Sequence, residues 1–430
     1  TSLSTLFFRE ETMKKLLIAV LCLMLTGCAA PAPSDGSGPD RSVSPDIPAP
    51  SPAASSAPNG ESGPPQASPE TDPETAENPS ASQEPSESSL GPQNQEQIIQ
   101  ELLSAMTLEE KVGQMFFVRC PETGGAELAA QYKVGGYLLF GRDFKDKTAQ
   151  QVRDDIQSYQ DASGIPLLIG TDEEGGTVVR ASSNPDLFPQ REPAPQTLFA
   201  QGGMDLILQD ARQKSMTLLD LGVNVNFAPV ADVSTDPADF IYARSFGQDA
   251  QATANYVAQV VGVMGEEQIG SVLKHFPGYG NNVDTHTGIA LDQRPYETFQ
   301  TSDFLPFQAG IQAGADAVLV SHNIAASMDE SLPASLSPTV HKILREELGF
   351  DGVVLTDDLA MDAVMEYAQN GSAAVLAIQA GNDMVVTTDF QTQIPQVIHA
   401  VQSGVIAESQ IDQAVTRVLN WKYELGLLGN

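Results

Sequence analysis

The sequence predicts an α/β chain folded as a (β/α)8 barrel of the TIM type, on three observations. Short apolar runs recur through residues 97–430, and each ends in polar residues before a helical segment begins. Runs that are apolar throughout, rather than alternating, belong to strands covered on both faces, the condition of a parallel sheet wrapped in helices. About seven such units in about 330 residues match one barrel with insertions, without room for a second large domain. An open doubly wound sheet is the alternative, and no G-x-G-x-x-G fingerprint supports it.

The elements follow in chain order. Residues 1–12 precede a natural start at Met13 and are read as a mis-assigned start or appended residues. Residues 13–27 form a signal peptide: Lys14 and Lys15, an apolar run from Leu16 to Leu25, then Thr26 and Gly27 before Cys28. The run is short for a membrane span, and small residues before a cysteine resemble the bacterial lipobox, which makes Cys28 the expected site of lipid attachment. Residues 28–96 are dominated by Pro, Ser, Ala, Gly and Glu, with too few large apolar residues to build a core. They read as a disordered tether, or equally a stalk through a cell wall, holding residues 97–430 off the outer face of a bacterial membrane. The three cysteines, Cys22, Cys28 and Cys120, offer no disulfide framework.

The folded part opens with Ile98, Ile99, Leu102, Leu103 and Met106 at helical spacing, after which Thr107 and Glu110 make a capping box for a second helix. The strand-like runs are Val134–Phe140, Leu167–Ile169, Val223–Val230, Val272–Leu273, Ala317–Val320, Val353–Leu355 and Met384–Val386. Ile411, Val415, Val418, Leu419 and Trp421 share one face of a closing helix whose role is packing. A formal net charge of -34, from 22 Lys and Arg against 56 Asp and Glu, argues against a nucleic-acid partner and suits a neutral carbohydrate.

Polar residues that end barrel strands face one mouth, where barrel enzymes keep their chemistry. The most informative segment runs from Lys274 to His286. Two basic side chains leave a strand, Pro277, Gly278 and Gly280 forbid helix, and the loop then presents Asp284 and His286. An aspartate near a histidine can hold one imidazole tautomer for proton transfer, although such a pair in a polar loop is more often just solvated, and only its company changes that reading. Asp357 closes the run Val353–Leu355 after Thr356, where a carboxylate can attack an anomeric carbon; the competing reading is a helix cap, which Asp358 can supply instead. The third cluster is Asp172-Glu173-Glu174-Gly175-Gly176 followed by Arg180, acceptors suited to sugar hydroxyls or a glycine-rich turn with solvated acids.

Taken in order with Asn226-Phe-Ala-Pro-Val-Ala-Asp232 and Arg244-Ser-Phe-Gly247, these segments resemble glycoside hydrolase family 3, in its β-N-acetylglucosaminidase branch. The resemblance covers residues 97 to 428, and its most specific element is Lys-His-Phe-Pro-Gly ending in Asp-x-His. It implies a single barrel domain without the family's second α/β sandwich, acting on terminal β-linked N-acetylglucosamine by a retaining mechanism; the tether at the cell surface makes cell-wall fragments the expected source. Asp357 would be the nucleophile and His286, oriented by Asp284, the general acid and base. Asp172, Arg180, Arg244, Lys274 and His275 would bind the terminal sugar, and no metal or other cofactor is implied. Tyr279 stands where histidine is frequent and Thr285 where serine is. Three alternatives remain: a β-glucosidase or β-xylosidase of the same family, a non-catalytic sugar-binding lipoprotein, and a metal-dependent hydrolase using His275, His286, His322 and Asp357. Clustered ligands of the His-x-His kind are lacking for the last, and His322 reads as a packed or hydrogen-bonded residue.

Overall fold

Eight parallel strands close on themselves in chain order. The computed structural model describes residues 92–282, 290–361, 364, 367 and 372–429. The strands are β1 (Phe116–Arg119), β2 (Gly136–Leu139), β3 (Leu168–Thr171), β4 (Val225–Asn226), β5 (Gly270–Phe276), β6 (Ala317–Val320), β7 (Val353–Thr356) and β8 (Val385–Thr387). Each pairs in parallel with the next, and β8 pairs with β1 through Phe116–Val385 and its neighbours. A bridge between Leu355 and Met384 joins β7 to β8, so the ring is complete. The predicted fold class is observed.

The strand missed from the sequence is β1. Two helices, α1 (Pro92–Ala105) and α2 (Leu108–Gln114), open the fold, the second with the expected Thr107–Glu110 capping box. Phe116 follows α2 with no glycine or proline between, so its apolar run merges with the helical pattern. The run Val223–Val230, by contrast, contributes a two-residue strand, because Pro229 lacks an N–H for the ladder.

Connections between strands are helical, α3 (Gly125–Tyr132), α4 (Ala149–Ala162), α5 (Pro195–Asp220), α6 (Ala250–Glu266), α7 (Phe304–Gln312), α8 (Pro338–Lys342) and α9 (Ala373–Ala380), and α10 (Phe390–Gln402) follows β8. Two apolar layers result. Outside the barrel, strand residues such as Ile169, Leu273 and Val318 pack on helix residues such as Val257, Phe307 and Leu218. Inside, Phe117, Leu138, Leu168, Phe227, Val272, Leu319, Leu355 and Met384 fill the bore, which is a packed core rather than a channel. Gly170 makes this possible, since a Cβ there would lie 2.7 Å from Phe227 and 2.8 Å from Phe117, whose rings meet edge to face at 5.2 Å. The closing helix α11 (Glu408–Glu424) seats Trp421 in the same core against Gly270, where a Cβ would come within 3.0 Å of its ring.

Candidate active site

A cavity of about 320 Å³ opens at the C-terminal ends of these strands. Arg119 from the end of β1, Asp172 just past β3, Lys274 and His275 from β5, and Asp357 and Asp358 just past β7 line it, together with Arg180 and Arg244 from the loops after β3 and β4. Thus six of the residues singled out from sequence, Asp172, Arg180, Arg244, Lys274, His275 and Asp357, surround one space. Asp284, His286 and Cys28 lie outside the described residues.

Lys274 and His275 are consecutive, and a regular strand would turn them to opposite faces. The register of β5 against β6 shifts between Lys274 and Phe276, with one extra residue on β5. That bulge lets both side chains reach the mouth. Lys274 Nζ donates to Asp172 Oδ1 at 2.7 Å and sits 2.5 Å from Glu174 Oε1. Arg180 Nη2 donates to the other Asp172 oxygen at 3.2 Å. Asp172 is therefore held between two cations while it faces the cavity, an acceptor flanked by donors that suits vicinal sugar hydroxyls.

The other two acids of that cluster face elsewhere, unlike the sequence expectation of three acceptors for sugar. Glu173 is fully buried and accepts the backbone N–H groups of Arg180, Ala181 and Ser182 at 3.0, 2.7 and 3.3 Å, along with the Ser182 hydroxyl. It folds the chain back so that Arg180 meets Asp172. Gly175, at φ +99°, allows that return, because a Cβ there would lie 2.2 Å from the Pro193 carbonyl oxygen. Glu174 accepts Arg244 Nε at 3.0 Å and Nη2 at 2.7 Å besides its contact with Lys274. Burial pushes the Glu174 carboxyl up, but Arg244 and Lys274 together outweigh that and hold it well below the usual carboxylate range.

His275 has one consistent tautomer. Arg244 Nη2, which can only donate, lies 3.1 Å from His275 Nε2, so that nitrogen accepts. Nδ1 therefore carries the proton and donates to Asp232 Oδ2 at 2.7 Å. Asp232 is buried and also accepts the backbone N–H of His275 at 3.1 Å and of Tyr279 at 2.8 Å, fixing the turn that leaves β5. The polar end of the run Val223–Val230 was the signal for Asp232; nothing in composition or spacing distinguished the buried bridge made by Glu174.

Asp357 is half-buried beside the cavity, its N–H bound to the Val320 carbonyl at 2.9 Å and its Oδ1 accepting the Asp358 N–H at 2.8 Å. Asp358 Oδ1 takes the Ala360 N–H at 3.0 Å, closing a turn at Leu359 and Ala360. His322 is fully buried, with Nδ1 2.7 Å from Ser335 Oγ and Nε2 donating to the Asp358 carbonyl at 3.0 Å, as a hydrogen-bonded histidine should be. At the root of the following loop, Arg294 pairs with Asp292 and Asp303 and donates to the Gly278 carbonyl at 3.3 Å, while Asn282 Nδ2 donates to Asp292 at 2.7 Å.

Residues 107–421 match the sequence profile of the glycosyl hydrolase family 3 N terminal domain. A protein of Stenotrophomonas maltophilia (strain R551-3) named beta-hexosaminidase is 35% identical over 318 residues, covering 71% of this chain and 89% of that protein. Among solved structures, a glycoside hydrolase family 3 beta-N-acetylglucosaminidase from Paenibacillus sp. FPU-7 superposes with a TM-score of 0.69 at 30% identity, over 76% of this chain and 64% of that one. A beta-N-acetylhexosaminidase from Beutenbergia cavernae does so with a TM-score of 0.64 at 30% identity, over 73% of this chain and 98% of its own.

Proposed function

The chain belongs to glycosyl hydrolase family 3 and is a glycoside hydrolase of the hexosaminidase type, and we propose that it removes terminal β-linked N-acetylglucosamine from glycans by a two-step retaining reaction. The observation that carries this reading is the shared cavity, in which a strand-end carboxylate, Asp357, faces the cation-flanked acceptor Asp172. In the first step an Asp357 oxygen attacks the anomeric carbon as the bond to the leaving oxygen breaks, and His286, oriented by Asp284, gives that oxygen its proton. In the second, His286 takes a proton from water, the resulting hydroxide attacks the same carbon, and Asp357 departs as a carboxylate. Meanwhile Asp172, Arg180, Lys274, Arg244 and His275 hold the hydroxyls of the terminal sugar, and in a partly buried site each such bond discriminates strongly.

The proposal extends to place and source. Cys28 carries the lipid, residues 28–96 act as the tether, and fragments of the cell wall at the extracytoplasmic face supply the substrate. The lipobox-like residues before Cys28 and the composition of the tether support this.

Initial rates on an aryl N-acetyl-β-glucosaminide and the matching β-glucoside test the reaction. We expect a clear preference for the N-acetyl sugar, and a fall of roughly three or more orders of magnitude in Asp357→Asn. Equal rates on both sugars would refute the substrate, and an active Asp357→Asn the nucleophile.

A further inference from the structure

Asp357 is presented by a turn whose backbone is held from both neighbouring strands. Its own N–H donates to the Val320 carbonyl on β6 at 2.9 Å, and two residues on, the Leu359 N–H donates to the Val386 carbonyl on β8 at 2.9 Å. Between them, both backbone groups of Asp358 are engaged as well. The Asp358 N–H holds Asp357 Oδ1 at 2.8 Å, which fixes the plane of that carboxylate, and the Asp358 carbonyl accepts His322 Nε2 at 3.0 Å. The two planar peptide groups that meet at one Cα differ only by two dihedral angles, so a side chain that holds the carbonyl restrains the N–H on the other side. His322 therefore reaches the Asp357 carboxylate through a single intervening residue.

The histidine is itself held firmly. It lies two residues past β6, is fully buried, and is not among the described residues that line the cavity. A carbonyl oxygen can only accept, so Nε2 carries a proton, while Nδ1 lies 2.7 Å from the Ser335 hydroxyl. Ser335 is equally buried: its N–H donates to the Ser321 carbonyl at 3.0 Å, and its own carbonyl accepts Asn382 Nδ2 at 2.8 Å. Ser335 thus orients the ring, and the ring orients the turn. An apolar side chain of equal size would fill this space without the cost of desolvating two ring nitrogens, so packing alone does not account for a histidine here. We propose that His322 is a positioning residue for the nucleophile, holding the Asp358 peptide so that the Asp357 carboxylate stays aimed at the anomeric carbon.

The inference rests on the proposed hydrolysis with Asp357 as nucleophile, and the experiment separates the two. The readout is kcat/KM on aryl N-acetyl-β-glucosaminides with good and with poor leaving groups, alongside Tm. Two variants are compared with the unaltered protein: His322→Met, which keeps the bulk but has no donor, and His322→Gln, whose amide N–H can reach the same carbonyl. His322→Met should lower kcat/KM by roughly ten- to a hundredfold, the loss expected from a carboxylate displaced by about 1 Å. The factor should be the same for both leaving groups, because what is lost is the attack and not the proton given to the leaving oxygen. His322→Gln should recover most of it. Unchanged kcat/KM in a folded His322→Met overturns the proposal, as does a Gln variant no better than Met, or a loss confined to poor leaving groups. Should the Met variant not fold, nitrogen NMR of the five histidines in the unaltered protein still decides. The signal that disappears in His322→Gln should belong to a ring protonated at Nε2, and a bare Nε2 overturns the proposal. An unaltered protein that cleaves none of these glycosides, or an active Asp357→Asn, would remove the underlying reading, and this one with it.

Discussion

Glu174 offers the sharpest test of how the site is held together. Its carboxylate is a bridge: three contacts between 2.5 and 3.0 Å tie it to Lys274 and Arg244, and its side chain is 2% exposed. Glu174→Gln preserves shape but removes the charge, leaving Lys274 with Asp172 alone and Arg244 facing a neutral His275 nitrogen. Removing one partner of a buried ion pair costs about 3–5 kcal/mol, because the remaining charge has already lost its water. Unfolding entropy for a domain of about 330 residues is about 0.7 kcal/mol per degree near the midpoint, so Tm should fall by about 4–7 °C. The pH dependence follows from the direction of the shift. The folded-state pKa lies well below the unfolded one, so the contribution is complete above the ordinary glutamate range, starts to fall as pH drops below it, and is gone only below the folded-state pKa. Thermal melts followed by circular dichroism should thus show a gap between the two proteins that is constant from about pH 6 to 8 and narrows progressively as pH falls below about 4.5. A Tm change under about 1 °C, or a gap indifferent to acid, would refute the bridging role.

Two further outcomes follow from buried positions, one remote from the cavity and one at the turn that leaves β5. Lys422 on α11 is fully buried, its Nζ donating to Gln114 Oε1 at 2.6 Å, and burial pulls its pKa down to about 7. The unfolded chain therefore binds a proton that the fold refuses between about pH 10 and 7, so Lys422→Met should gain stability relative to the unaltered protein as pH falls through that range, by at most about 5 kcal/mol, and keep the gain below it. A Tm difference that does not vary with pH would show that the ammonium stays charged in the fold. Gly278, at φ +119°, sits so close to Asp303 that a Cβ would lie 2.4 Å from its Oδ1. Gly278→Ala should cost about 2 kcal/mol or more in a denaturant melt and displace the Arg294–Asp303 pair, and a neutral substitution would contradict that packing.

Much of this architecture is legible in the chain because it is local. A capping box needs residues three apart, and Thr107 and Glu110 form one as their spacing requires. Continuous apolar runs ending in polar residues mark strands of a covered parallel sheet, which is why Asp172, Lys274 and Asp357 could be named before any coordinates. The failures were of two physical kinds. Without a breaker between α2 and β1, periodicity could not separate helix from strand, and Arg119 was lost with the strand. Within Asp172-Glu173-Glu174, three acids of nearly equal chemistry take three different duties, one facing the cavity, one clamping backbone and one bridging cations.

What the chain by itself determined is the alternation of elements, the residues that end the strands and the family, since periodicity, turn chemistry and motif order are properties of neighbours in sequence. Tertiary structure alone decided which charges meet. Glu174 reaches Arg244 across 70 residues and Asp172 reaches Lys274 across 102, distances over which no pattern in the chain specifies a partner. Ring closure brings those side chains together, and burial then sets their protonation, because the energy of a charge depends on the water and counter-charges around it rather than on the residue that carries it.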